Sequence, residues 1–153
     1  MRAAHPYEEV AFDLYQVMQG PASQGLIRGL GYGFWGEYKS SKPFPDVARS
    51  VRNIFGTQGF WLTDPTPTRI KRVAFVAGKG ASFVEAASAL GCDLFITGEA
   101  GYHTALAGAR LGVSVMELGH RESEIFYIST MESWLSKMGL KTVGLNIQTQ
   151  RVM

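Results

Sequence analysis

Short apolar runs alternate with helix-length segments through the second half of the chain, and this alternation constrains the fold more than any other feature. The predicted strands cover residues 72–77, 93–97, 113–118 and 141–148, and the predicted helices cover residues 82–90, 102–111 and 123–138. Strands that are apolar throughout are typical of parallel sheets with both faces covered. Residues 68–153 are therefore predicted to be an α/β domain with a mainly parallel sheet and helices on both faces.

Residues 1–67 have a different pattern, which predicts a smaller α+β domain with antiparallel pairing. The predicted elements are strands over residues 10–17, 33–39 and 60–62 and a helix that begins at Pro45 and ends at Gly56. Alternating apolar and polar positions indicate a half-buried strand at residues 10–17, and a proline after a strand favours a helix start. The segment 63–68 contains two prolines and is predicted to be the linker between the two parts.

The composition is that of a globular protein, with 46% apolar and 18% charged residues. The formal net charge is +2, and the basic residues are scattered rather than grouped into the stripe that phosphate binding requires. No nucleic-acid partner is therefore indicated. The single cysteine, Cys92, fits a reducing compartment and a small core side chain, and no apolar stretch is long enough to cross a membrane. A cytoplasmic protein is expected.

A glycine turn follows the first apolar strand. In open parallel sheets, ligands bind beyond the carboxyl ends of the strands. Backbone N–H groups around Gly78, Lys79, Gly80 and Ser82 could cradle an anion such as a phosphate. A tight strand-to-helix turn needs the same glycines, however, with Ser82 as the helix N-cap. Both interpretations stay open at this stage.

Glu99 and His103 follow the second strand. Glu99 could act as a general base or as a partner of a metal ligand, and His103 could transfer protons. The alternative is structural: a carboxylate at a helix start complements the helix dipole, and the histidine is partly buried.

His120 and Glu124 follow the third strand, four residues apart across a strand-to-helix junction. An imidazole and a carboxylate at this spacing could converge on one divalent cation such as zinc, iron or manganese. A capped helix start rich in acidic residues would produce the same pattern. A further histidine, His5, precedes Pro6 and two glutamates, which favours turn chemistry over a binding site.

Taken in order, these segments resemble the Nif-three-like (NGG-one interacting factor three) family. Residues 5–15 are similar to the "HPYEEVAYDIY" segment of bacterial members, and residues 29–36 to their "GLGxxGxL" segment with one residue more. Residues 72–83 and 97–103 and the group of Gly119, His120 and Glu124 then follow in the family's order. The resemblance covers nearly the whole chain.

The resemblance implies that residues 1–67 are part of an inserted CutA-like, ferredoxin-like domain and that residues 68–153 are the C-terminal part of the family's core. It also implies a chain that is only part of a longer protein. Family members carry a dinuclear metal site, and the C-terminal ligands correspond to His120 and Glu124, with Glu122 as an alternative to Glu124. The N-terminal ligands, an adjacent pair of histidines and an aspartate, have no counterpart here. Glu99 and His103 match positions that line the same cavity, and relatives form toroidal oligomers.

Three functions follow as hypotheses. The first is a divalent-metal-dependent hydrolase or GTP cyclohydrolase type 2-like protein that acts on a nucleotide-like molecule, incomplete as this chain alone. The second is an interaction or regulatory module that assembles as a homo-oligomer without catalysis. The third is a nucleotide-binding domain without a metal, which requires only the glycine turn at Gly78–Ser82. Metal content distinguishes the first from the others.

Overall fold

A five-stranded sheet forms the centre of the computed structural model, which describes residues 31–145. Its strands are β1 (Gly33–Pro43), β2 (Trp61–Leu62), β3 (Arg69–Val76), β4 (Leu94–Thr97) and β5 (Ser114–Glu117). Their order across the sheet is β1-β3-β4-β5-β2. The chain consists of two compact units, residues 1–31 and residues 32–153. The described residues therefore belong almost wholly to the second unit.

The sheet is mixed rather than mainly parallel. The three central strands β3, β4 and β5 are parallel to one another, whereas β1 and β2 pair antiparallel with β3 and β5 at the two edges. The α/β class is thus confirmed, and the strands after residue 68 are parallel to one another as predicted. The sheet is mixed because β1 and β2, which precede residue 68, join its two edges. The apolar runs indicated only the central strands, since an edge strand such as β1 leaves most of its side chains exposed.

Helices lie between the strands and after β5. They are α1 (Phe44–Phe55), α2 (Val84–Ala89), α3 (Gly101–Leu111), α4 (His120–Glu124) and α5 (Phe126–Lys137). The prediction of one long helix over residues 123–138 is wrong, because this segment belongs to two helices. The first, α4, begins at His120 and ends before Ile125, and α5 follows it. The predicted last strand is also absent over residues 141–145, which form neither helix nor strand, and its remainder lies outside the described residues.

Alternate residues of the central strands enter two separate cores. Ala74, Phe95 and Val115 pack on one face of the sheet with residues of α2 and α3. Leu94 and Met116 pack on the other face with residues of α1. The helices therefore cover both faces, as the apolar strands predict.

The predicted linker at residues 63–68 lies between β2 and β3, which are two strands of the same sheet. The elements β1, α1 and β2, which precede residue 68, also contribute to this sheet or to its cores. The strand predicted over residues 10–17 lies outside the described part of the chain. The division into residues 1–67 and 68–153 stays a prediction. Within residues 31–145, no helix is long and apolar enough to cross a membrane.

Candidate functional site

His120 lies between two carboxylates at the carboxyl edge of the parallel strands. Its Nδ1 is 3.0 Å from Glu99 Oε1, and its Nε2 is 3.3 Å from Glu124 Oε1. About half of each of these three side chains is exposed, so the cluster is open to solvent. Glu99 follows β4 and His120 follows β5, and neighbouring parallel strands bring their carboxyl ends to one edge.

Backbone hydrogen bonds hold the three strand-end loops against one another. Glu99 N donates to Gly78 O at 2.9 Å, and Gly119 N donates to Gly98 O at 3.0 Å. Gly98 is required for this approach, because a Cβ atom there would lie 2.7 Å from Gly78 O and 3.0 Å from the Cα atom of His120. The backbone thus brings Glu99 and His120 within hydrogen-bonding distance before any ligand is considered.

Gly78 leaves space open beside His120 Nε2 and Glu124 Oε1. Its φ is +62°, which favours glycine, and a Cβ atom at this position would meet Glu124 Oε1 and lie 3.4 Å from His120 Nε2. Any other residue at position 78 would therefore fill the space in front of these two atoms.

Ser123 links the loop that follows β3 to the loop that follows β5. Its side chain is buried, and its Oγ accepts a hydrogen bond from Gly78 N at 2.9 Å and donates one to His120 O at 2.7 Å. The sequence did not predict a role for Ser123. A serine three positions after a helix start carries no signal that separates it from an ordinary exposed one.

The glycine turn uses its own N–H groups internally. Gly78 N donates to Ser123 Oγ, and Gly80 N donates to Thr97 Oγ1 and to Gly78 O. The hydroxyl of Ser82 caps neither the short 3₁₀ turn Ala81–Phe83 nor α2, which corrects its predicted N-cap role. Lys79 and Ser82 are exposed. Anion binding by Gly78, Lys79, Gly80 and Ser82 stays a prediction.

A glutamate does complement the start of α3, but it is Glu117 rather than Glu99. Glu117 Oε2 accepts hydrogen bonds from Ala100 N at 3.0 Å and Gly101 N at 3.3 Å. Such bonds satisfy N–H groups that a helix start leaves without partners. Glu99 therefore does not cap α3, and it pairs with His120 instead.

His103 is exposed on α3, and its ring lies 5.6 Å from the ring of Tyr102. Among residues 31–145, no hydrogen bond or ion pair joins His103 to His120, Glu99 or Glu124. Its predicted role in proton transfer stays a prediction.

No group of three His, Cys, Asp or Glu side chains in the described chain is arranged to hold a metal ion. The positions of the two carboxylates explain this result. Glu99 faces Nδ1 and Glu124 faces Nε2 of the same imidazole, so the three side chains do not converge on one point. His120 Nε2 and Glu124 Oε1 lie together on one side of the imidazole ring. His5 lies outside the described residues.

The sequence matches the model of the family described as Duf34/NIF3 (NGG1p interacting factor 3) over residues 3–152. Among curated proteins, the GTP cyclohydrolase 1 type 2 homolog of Bacillus subtilis (strain 168) is 31% identical over 147 residues, which are 96% of this chain and 38% of that protein. The protein of the same name from Escherichia coli (strain K12) is 31% identical over 103 residues, covering 67% of this chain and 42% of that protein. The chain thus spans less than half the length of these relatives.

Two solved structures show the same fold. The Bacillus cereus protein related to NIF3 superposes with a TM-score of 0.61 at 24% identity, covering 92% of this chain and 38% of that one. The Thermus thermophilus protein TTHA1606 superposes with a TM-score of 0.61 at 23% identity, covering 74% and 46% of the two chains. At these identities the likeness is one of fold.

Proposed function

The chain belongs to the Duf34/NIF3 family, and from this premise we propose that His120 and Glu124 are one half of a divalent-cation site in a metal-dependent hydrolase. The observation that carries the proposal is the 3.3 Å separation of His120 Nε2 and Glu124 Oε1. Two adjacent ligands of one cation lie at about this separation when each bond is about 2.1 Å long. Imidazole nitrogen with carboxylate oxygen is also the donor set that zinc, iron and manganese accept.

Glu99 orients the imidazole. A hydrogen bond from Nδ1–H of His120 to Glu99 Oε1 leaves the lone pair of Nε2 directed to the side where Glu124 lies. Ligating histidines commonly donate their second N–H to a carboxylate in this way, which fixes the tautomer and makes the ligand more basic. Glu99 is therefore a positioning residue in this proposal.

The space beside Gly78 supports the same assignment. A side chain there would occupy the volume next to Nε2 and Oε1, and the glycine leaves it open. A cation held at this place would act as a Lewis acid on a substrate oxygen and lower the pKa of water. Lys79, exposed on the same turn, would neutralise a phosphate of a nucleotide-like substrate.

Two donors are fewer than the three protein ligands of a catalytic zinc. The described residues therefore hold a cation weakly, and further ligands come from outside them or from another chain. The relatives named GTP cyclohydrolase 1 type 2 homolog suggest the reaction class, a cyclohydrolase-like hydrolysis of a nucleotide-like molecule. Association of copies of this chain is part of the proposal, because it would bring ligands of one copy to another.

Calorimetric titration of the 153-residue chain with Zn²⁺ and with Mn²⁺ tests the half-site. We expect the heat of binding to disappear in His120→Ala and Glu124→Gln, because each change removes one of only two donors. Glu122→Gln is the matched control, since the carboxylate of Glu122 lies 3.6 Å from the Arg121 guanidinium and not beside Nε2. His103→Ala is a second control, as an exposed histidine of the same chain.

Unchanged binding in His120→Ala would contradict the assignment. Loss in Glu122→Gln with retention in Glu124→Gln would move the carboxylate ligand to Glu122. Thermal unfolding of each variant separates a lost ligand from a lost fold, and we expect little change because these side chains are half exposed.

A further inference from the structure

Ser123 of α4 carries a buried hydroxyl that bridges the backbones of two separate loops. The residue is only 3% exposed. Its Oγ accepts a hydrogen bond from Gly78 N at 2.9 Å and donates one to His120 O at 2.7 Å. Gly78 follows β3 and His120 follows β5. Because both ends of the bridge are backbone atoms, the hydroxyl sets the distance between the two loops themselves.

Ser129 of α5 shows what a helical serine does when it has no such role. Its Oγ donates to Phe126 O, three residues earlier, at 3.2 Å, and the residue is exposed. Bonds of this kind are ordinary for serines in helices and stay within the helix. Ser123 makes the same bond to His120 O, but it also accepts from Gly78 N, which is distant in sequence. Helix formation does not account for this second bond.

The N–H group of Gly78 depends on Ser123. Gly78 is buried, and within residues 31–145 its N–H has no hydrogen-bond partner other than Ser123 Oγ. Gly78 O, by contrast, accepts three hydrogen bonds, from Glu99 N at 2.9 Å, Gly80 N at 3.1 Å and Thr97 Oγ1 at 3.2 Å. Loss of the Ser123 hydroxyl would leave a buried N–H unpaired, which is costly, whereas Gly78 O would keep two partners after the loss of Thr97 Oγ1.

The position of Gly78 determines the shape of the space beside the candidate cation ligands. A Cβ atom on Gly78 would meet Glu124 Oε1 and lie 3.4 Å from His120 Nε2, so the glycine borders that space. The Ser123 bridge joins the backbone of Gly78 to the backbone of His120. A movement of Gly78 toward Nε2 would therefore narrow the space, and a movement away would widen it.

We propose that Ser123 is a positioning residue of the candidate cation site, acting through Gly78 and His120 rather than on the cation itself. The inference rests on the proposed function, because it assigns a support to the site formed by His120 and Glu124. Loss of a group that orients metal ligands commonly lowers metal affinity about 10–100-fold. Cation affinity in this chain therefore depends on a hydroxyl whose hydrogen bonds both go to backbone groups.

The first test is a calorimetric titration of the full 153-residue chain and its variants with Zn²⁺. We expect the dissociation constant to rise at least about tenfold in Ser123→Ala. Ser129→Ala is the matched control, because it removes the same bond to the preceding turn from an exposed position. Thr97→Val is a second control, because it removes a buried hydroxyl that bonds the same glycine. Both controls should keep the affinity of the unaltered chain.

Amide hydrogen exchange without added metal separates a local movement from a general loss of stability. In Ser123→Ala, we expect the N–H of Gly78 to exchange at least about tenfold faster than in the unaltered chain. The N–H of Phe95, in the buried strand β4, should keep its exchange rate. Equal acceleration at both positions would show that Ser123 only stabilises the fold, and this result would overturn the inference.

The zinc titrations distinguish failure of this inference from failure of the proposed function. Unchanged affinity in Ser123→Ala, with binding still lost in His120→Ala, would overturn the inference alone. Equal weakening in Ser123→Ala and Thr97→Val would also overturn it, because the effect would not depend on the Gly78 N–H. An unaltered chain that binds no Zn²⁺ would overturn both.

Discussion

His120 is held by a carboxylate on each side of its imidazole ring. Glu99 Oε1 lies 3.0 Å from Nδ1, and Glu124 Oε1 lies 3.3 Å from Nε2. Glu99 is available to the imidazole because Glu117, the last residue of β5, accepts the hydrogen bonds at the start of α3.

Cys92 is a second residue whose chemical reactivity can be tested. Its side chain is buried in the core on the α2 and α3 face, as the sequence predicts for a lone cysteine. Burial raises the pKa of the Cys92 thiol, and the neighbouring carboxylate of Asp93 adds to the increase. The thiol is therefore inert rather than nucleophilic in the folded protein.

We expect Cys92 to resist iodoacetamide at a pH of about 8 in the folded protein and to react in urea. Because the pKa is higher in the folded state, the thiol's contribution to stability is fully present below the unfolded pKa of about 8.5 and is lost as the pH rises further. The free energy of unfolding should thus decline above this pH by more than it does in Cys92→Ala. Labelling of folded and unfolded protein at equal rates would contradict this assignment.

At the scale of elements, apolar runs located β3, β4 and β5 and the helices that follow them. The runs carried no information about β1 and β2 as edge strands of the same sheet, since antiparallel edge pairing depends on contacts distant in sequence. The break between α4 and α5 was also missed, because the helical pattern continues through Ile125. The early start of α4 makes His120 the first residue of a helix.

Gly98 tests whether the strand-end loops must touch. Gly98→Ala would place a Cβ atom against Ser123 Oγ and 2.7 Å from Gly78 O, and backbone atoms cannot yield as a flexible side chain does. We expect a loss of about 1–3 kcal/mol in the free energy of unfolding, as for other overpacked sites. Gly59→Ala is the control, because no atom lies within 4 Å of its added Cβ. Urea unfolding measures both variants, and equal stabilities would show that the loops tolerate separation.

At the scale of the whole molecule, the chain covers 38% and 42% of two curated relatives, and the proposed cation site takes two ligand atoms from it. The proposal therefore requires further ligands from outside the described residues. The family resemblance in the sequence predicted the α/β class and the two candidate ligands. Neither periodicity nor spacing could show that Glu99 faces the other nitrogen of the imidazole, since a carboxylate at a helix start has an ordinary electrostatic reason to be there.

The most direct test of this account is the position of the cation itself. Crystals of the 153-residue chain, soaked in zinc above its dissociation constant, would be measured at the zinc absorption edge. We predict an anomalous peak about 2.1 Å from His120 Nε2 and in contact with the carboxylate of Glu124, with Glu99 still bonded to Nδ1. A peak at His103, at His5 or on the Nδ1 side of His120, with no peak beside Nε2, would contradict the account.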